Sequence, residues 1–130
     1  MTSRAVRSPG PFDKVARIGL QLAGVETAIK YDGSPVLRWR GCFMAGLATH
    51  ESADAPSLVV RIELDDREAL TADAPDIYYV TEYYRPHPVV LARLDRLDGD
   101  ALRDLLSMSW RLTKQKASRK MTMKDTLEVR

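Results

Sequence analysis

The sequence predicts an α+β domain, an antiparallel sheet with an N-terminal and a C-terminal helix packed against it. Three observations carry that expectation. Apolar residues recur at helical spacing near both ends, from Phe12 to Ala23 and again from Leu102 to Leu112. Between them lie short β-branched and aromatic runs grouped by turn signals. There is no regular alternation of strand and helix and no internal repeat of roughly 20–50 residues, so hairpins are favoured over parallel crossovers.

The elements follow in order. Residues 1–11 contain Ser8-Pro9-Gly10-Pro11 and read as a flexible lead. Phe12, Val15, Ala16, Gly19, Leu20 and Ala23 place a helix over 12–23, with Gly24 suited to its C-terminal cap. Thr27–Tyr31 is a strand stopped by Asp32-Gly33-Ser34-Pro35, and Pro35–Arg40 alternates Val36, Arg38 and Arg40 against Leu37 and Trp39. Gly41 turns the chain into Cys42–Ala48, making a hairpin. A polar loop over 49–57 leads to a strand at Ser57–Glu63. Asp65 and Glu68 have the spacing of a capping box that opens a helix near 66–73. Ile77–Tyr84 and Val89–Asp95 are two further strands broken by Pro86-His87-Pro88. Asp98 or Gly99 opens the last helix, and the sequence loses its apolar pattern after about residue 117. The domain is therefore expected over 12–116, followed by a basic tail at 117–130.

Composition excludes several classes. At 130 residues, 45% hydrophobic and 29% charged, the chain fits one globular domain that needs no disulfide or structural metal. Cys42 is the single cysteine, so neither an internal disulfide nor a cysteine-rich zinc site can form. No run reaches the roughly 20 apolar residues of a membrane span, and the first residues lack the apolar stretch of a secretory signal. A cytoplasmic monomer without cofactor is the expectation.

The net charge of +2 hides a division. Residues 1–17 carry four basic side chains and one acidic, and residues 111–130 carry seven and two. Residues 18–110 hold nine basic and fifteen acidic, a net of −6. Phosphate affinity needs clustered Lys and Arg, so the ends and any local basic strip matter more than the total.

Enzyme signatures are missing: G-x-G-x-x-G, the P-loop, G-x-S-x-G and H-E-x-x-H do not occur. Cys42 lies far in sequence from His50 and His87 and reads as a structural thiol. His50, Glu51 and Asp54 lack ligand spacing for a metal, and the helix start accounts for Asp65 and Asp66. The most unusual segment runs from Tyr78 to His87 and holds four of the five tyrosines, with Arg85 and His87. Aromatics beside cations suit base stacking and phosphate contact, and equally a half-buried sheet. Arg38, Arg40 and Arg61 either form a basic strip or pair with Glu63 and Asp65 across the sheet, and pairing is the favoured alternative.

The chain resembles the MmcQ/YjbR family of small bacterial proteins over about residues 12–116. The resemblance rests on an ordered set: LAGVE at 22–26, GSPVLRWRGCFMAGL at 33–47, LVVRI at 58–62, DIYYVTEYYRPHPVVLARLD at 76–95 and LRDLLSMSWRL at 102–112. Pro35, Gly41, Phe43, Tyr84, Pro88 and Trp110 match the family's hairpin, tyrosine-proline stretch and final-helix tryptophan. Cys42, Tyr83 and Pro86 depart from its usual Lys, His and small residue. The resemblance implies a double-wing-like fold on a curved antiparallel sheet and carries a DNA-binding label.

The resulting expectation is a non-enzymatic binding protein with weak, salt-sensitive, largely sequence-independent DNA contacts. Arg38, Arg40 and Arg61 would meet phosphates beside Tyr84 and Arg85, with Lys114, Lys116, Arg119 and Lys120 adding affinity. Two alternatives are a protein-interaction module and a site for a small aromatic ligand on a concave sheet near Trp39, Tyr84 and Trp110.

Overall fold

A computed structural model describes residues 10–129, with side chains described through residue 117. The N-terminal lead therefore lies outside the described residues up to residue 9, and Pro11 belongs to the first helix, α1 (Pro11–Gly19). Proline suits that first position because its fixed φ is helical and its missing N–H would go unpaired anyway. The Asp13 carboxylate accepts a hydrogen bond from the Gly10 N–H at 3.1 Å, closing the first turn. Phe12, Val15 and Ile18 form the buried face. The helix ends at Gly19 rather than near residue 23, because Leu20 caps it and turn bonds from Gln21 to Ile18 and Leu22 to Gly19 follow. Gly24 does have a positive φ of 81°, but it turns the chain into the sheet. A Cβ at that position would lie 2.6 Å from Trp39 Nε1, so the close approach also demands glycine.

Six antiparallel strands follow: β1 (Val25–Ile29), β2 (Pro35–Trp39), β3 (Cys42–Leu47), β4 (Ser57–Arg61), β5 (Tyr78–Tyr79) and β6 (Val89–Arg93). Their order across the sheet is β1-β2-β3-β4-β6-β5. Arg40 and Gly41, with φ of 49° and 82°, make the two-residue turn between β2 and β3. The β2–β3 register pairs Leu37 with Ala45 and Arg38 with Phe43, leaving Met44 as the extra residue of a bulge. Met44 and Ala45 are consequently both buried in the main core. The buried Ser109 hydroxyl donates to the Met44 carbonyl at 3.1 Å. Both Val36 and Leu37 are fully buried, so β2 does not have the one polar face that its alternation predicts.

Helix α2 (Leu64–Asp73) lies along the β5–β6 edge. It starts earlier than predicted, with Glu63 at the cap and the Arg67 N–H bonded to the Glu63 carbonyl. Asp65 thus sits inside the first turn and the capping box does not form; Asp65 and Asp66 instead meet the positive end of the helix dipole. The predicted strand at Ile77–Tyr84 shrinks to Tyr78–Tyr79. The Thr81 carbonyl accepts from the N–H groups of Tyr84 and Arg85, folding residues 81–87 into turns ahead of Pro88.

The last helix, α3, spans Gly99–Val129, so its backbone continues helically beyond residue 117. Asp98 caps it, its carboxylate accepting from the Ala101 N–H at 2.8 Å. Leu102, Leu105, Leu106 and Leu112 are buried. Helices α1 and α3 cover one face of the sheet, where Leu37, Met44, Leu58, Val60, Ile62 and Val90 form the main core. The opposite face carries a smaller cluster, Val59, Tyr84, Val89 and Leu91, with strand and loop residues such as Phe43, Ala53 and Tyr79 packed against it.

Candidate functional site

That second face holds the most distinctive site. Directly paired residues of antiparallel strands share a face. The pairs Arg38–Phe43, Val59–Leu91 and Arg61–Val89 therefore align along it. The loop between β3 and β4 and the turns at 81–87 lie over part of it, and tyrosines hold them there. The Tyr79 hydroxyl accepts from the Asp54 N–H at 2.8 Å and contacts Ser57 Oγ at 2.6 Å. The Tyr84 hydroxyl accepts from the His50 N–H at 3.2 Å, and the Ser52 and Thr81 hydroxyls meet at 2.9 Å. Arg93 completes the arrangement: it pairs with Asp54 at 2.9 Å and its guanidinium lies 4.0 Å from the Tyr79 ring centre.

Between these supports opens a groove of about 400 Å³, lined by Phe43, Val59, Arg61, Tyr83, Tyr84, His87, Pro88 and Val89. Its far wall is fixed by Arg67 on α2, whose Nη1 donates to the carbonyls of Arg85, His87 and Val89 at 3.3, 2.9 and 3.2 Å. Tyr83 is the exposed ring of the group, at 54% exposure. It stacks on His50 at 3.6 Å and 11°, and meets Tyr84 edge-on at 5.0 Å. The Ser52 N–H donates to His50 Nδ1 at 3.1 Å, which holds the imidazole in place beneath Tyr83. A smaller cleft of about 140 Å³ shares Phe43, Val59, Tyr83 and Tyr84 and adds Lys30 and Thr49.

The predicted site residues separate. Arg38 and Arg61 share the open face, and among the described residues neither forms an ion pair within 4.0 Å, so the favoured pairing with Glu63 or Asp65 is not made. Arg40 occupies the β2–β3 turn with its guanidinium 4.8 Å from the Trp39 ring centre. Tyr84 is buried and serves as a support, leaving Tyr83 as the accessible ring. Arg85 is exposed and lies 3.6 Å from Glu82. Lys114 and Lys116 stand on α3, across the sheet from Arg61, and Lys114 Nζ caps the Trp110 ring at 3.8 Å. Arg119 and Lys120 lie outside the described side chains.

Trp39, Tyr84 and Trp110 do not converge. Trp39 and Trp110 pack on the main core, the Trp110 Nε1–H donating to the Ala23 carbonyl at 2.9 Å, while Tyr84 belongs to the other face. A second depression of about 420 Å³ lies between α2 and α3, with Glu63, Asp66 and Arg111 at its edge. It lacks an aromatic residue.

Sequence reasoning missed Lys30, Phe43, Tyr83 and Pro88 as site residues. Tyr83 lies in the tyrosine-rich segment and Phe43 and Pro88 in matched motifs, but only register and the turns at 81–87 bring them together: Phe43 faces Arg38 once the β2–β3 bulge is known. No family model, curated protein or solved structure matches the chain.

Proposed function

We propose that this is a non-enzymatic nucleic-acid-binding domain of the MmcQ/YjbR type, with a double-wing-like sheet, that works through the open face. The observation that carries this reading is the groove in which Arg61, without an ion-pair partner among the described residues, borders an apolar and aromatic lining. A guanidinium there is available to a phosphate, and the rings beside it suit a base. Arg38 extends the same face toward β1, opposite Glu26. Few cations take part, so binding is weak, falls with salt and carries little sequence preference.

Fluorescence anisotropy with labelled DNA tests it. With two or three phosphates neutralised, raising salt from about 50 to about 200 mM weakens binding roughly tenfold or more. Arg38→Gln/Arg61→Gln weakens it further and flattens that dependence. Unchanged affinity in the double variant sinks the reading. The groove volume of about 400 Å³ also lies in the range of small-ligand sites, which supports a planar anionic ligand as the second reading. Tryptophan fluorescence is a poor reporter for it, because Trp39 and Trp110 belong to the other face.

A further inference from the structure

We infer that the nucleic acid taken by this face is single-stranded, with an unpaired base held against Tyr83 and the neighbouring phosphates on Arg61 and Lys30. The inference rests on the nucleic-acid reading and narrows it.

The sheet's width argues against a duplex. Six strands spaced about 4.8 Å apart span about 24 Å, whereas a major groove is about 12 Å wide and admits a helix or a two-stranded ribbon. The open face meets an undeformed duplex only along its outside, which leaves the groove beside Arg61 unused. A broad sheet enters a minor groove only when the duplex is opened and bent at an energetic cost. A single strand has no such restriction, because its bases can splay away from the backbone.

The placement of groups around Tyr83 suits that geometry. Tyr83 lines both the groove that contains Arg61 and the cleft that contains Lys30, so the exposed ring borders two hollows with one cation in each. Phosphate and base alternate along a strand, which suits such a set. The ring is also pre-organised: His50 stacks on one of its faces and Tyr84 meets it edge-on. Little freedom is lost when a base adds to the stack. Phe43 and Val59 contribute to both hollows and supply an apolar floor beneath the strand. Pro88 and His87, held by Arg67, bound the groove on the far side.

The test compares an end-labelled oligothymidine of about 12 nucleotides with a mixed-sequence duplex of the same length, at about 50 mM salt, by anisotropy. The proteins are wild type, Tyr83→Ala and Lys30→Gln/Arg61→Gln, each checked for an unchanged unfolding midpoint. Tyr83 is exposed, so its truncation leaves the core intact. The expected result is at least tenfold tighter binding of the single strand. Tyr83→Ala should lose about fivefold or more on that strand and nothing on the duplex. Lys30→Gln/Arg61→Gln should reduce the single-strand salt slope by about 1.4. Equal or tighter binding of the duplex, or a Tyr83→Ala variant that binds the single strand normally, overturns the inference and leaves the nucleic-acid reading standing. Binding to neither probe overturns both.

Discussion

Four adjacent tyrosines perform three different tasks, and side-chain direction decides which. Tyr78 faces the helices and is buried in the main core, Tyr79 and Tyr84 hold the loop between β3 and β4, and Tyr83 faces solvent. Tyr78 makes a prediction about pH. Burial, and then the negative charges of Asp98 and Asp104, raise its phenol above the ordinary value of 10.0. The folded protein therefore keeps this proton at a pH where the unfolded chain has released it. Its contribution to stability is complete below about pH 10 and is lost as pH rises through the raised value. Tyr78→Phe removes the titrating group and keeps the ring. In urea unfolding between about pH 8 and 11, wild type should lose stability more steeply than Tyr78→Phe above about pH 10. Parallel profiles would contradict this account. Asp32 is the opposite case, an exposed carboxylate lowered by the Ser34 hydroxyl and N–H in the β1–β2 turn.

At the scale of elements, what could be read from the sequence followed from how local each cause is. The turn at Gly41, a helix start at Asp98 or Gly99 and the leucine face of α3 depend on near neighbours and were legible. The turn also takes in Arg40, which the alternation places in the strand. The end of α1, the start of α2 and the brevity of β5 depend on bonds that compete with the apolar pattern, and were not. Local turn bonds to the Thr81 carbonyl defeat a run of β-forming residues from Val80 to Tyr84. The groove was illegible for a stronger reason. It joins β3, β4, β6 and the 81–87 turns, and its wall depends on Arg67, which sequence reading left unassigned. Arg67→Ala removes a partly buried guanidinium whose Nη1 shares its two N–H groups among three carbonyls. Charged donors contribute more than neutral ones, and a loss of about 1–2 kcal/mol is expected in urea unfolding. Amide exchange should quicken first at His87 and Val89, whose N–H groups close the adjoining turn. Uniform quickening across the sheet would mean that Arg67 supports the whole fold and not this wall.

At the scale of the molecule, charge and shape divide the work. Residues 18–110 carry a net charge of −6, so a phosphate approaching the open face meets local cations on an acidic body. The compensating positive charge is concentrated at the ends, with residues 111–130 at +5. Helix α3 has 31 residues and spans about 46 Å, against about 17–20 Å for strands of this length. Lys114 and Lys116 ride on it, on the side away from Arg61. Charges so placed act on a bound strand through solvent, where screening removes most of the interaction beyond about 8–10 Å. Lys114→Gln/Lys116→Gln should therefore weaken single-strand and duplex binding alike, by about two- to threefold at low salt, and the difference should vanish near 200 mM. Arg61→Gln should behave differently, with a loss that is larger on the single strand and still measurable at the higher salt. Lys114 also caps the Trp110 ring, so equal unfolding midpoints are needed before affinities are compared. If the α3 pair abolishes binding and Arg61→Gln leaves it unchanged, the contact surface is the basic helix. The open face would then be left to the planar-ligand reading, for which its groove is the right size.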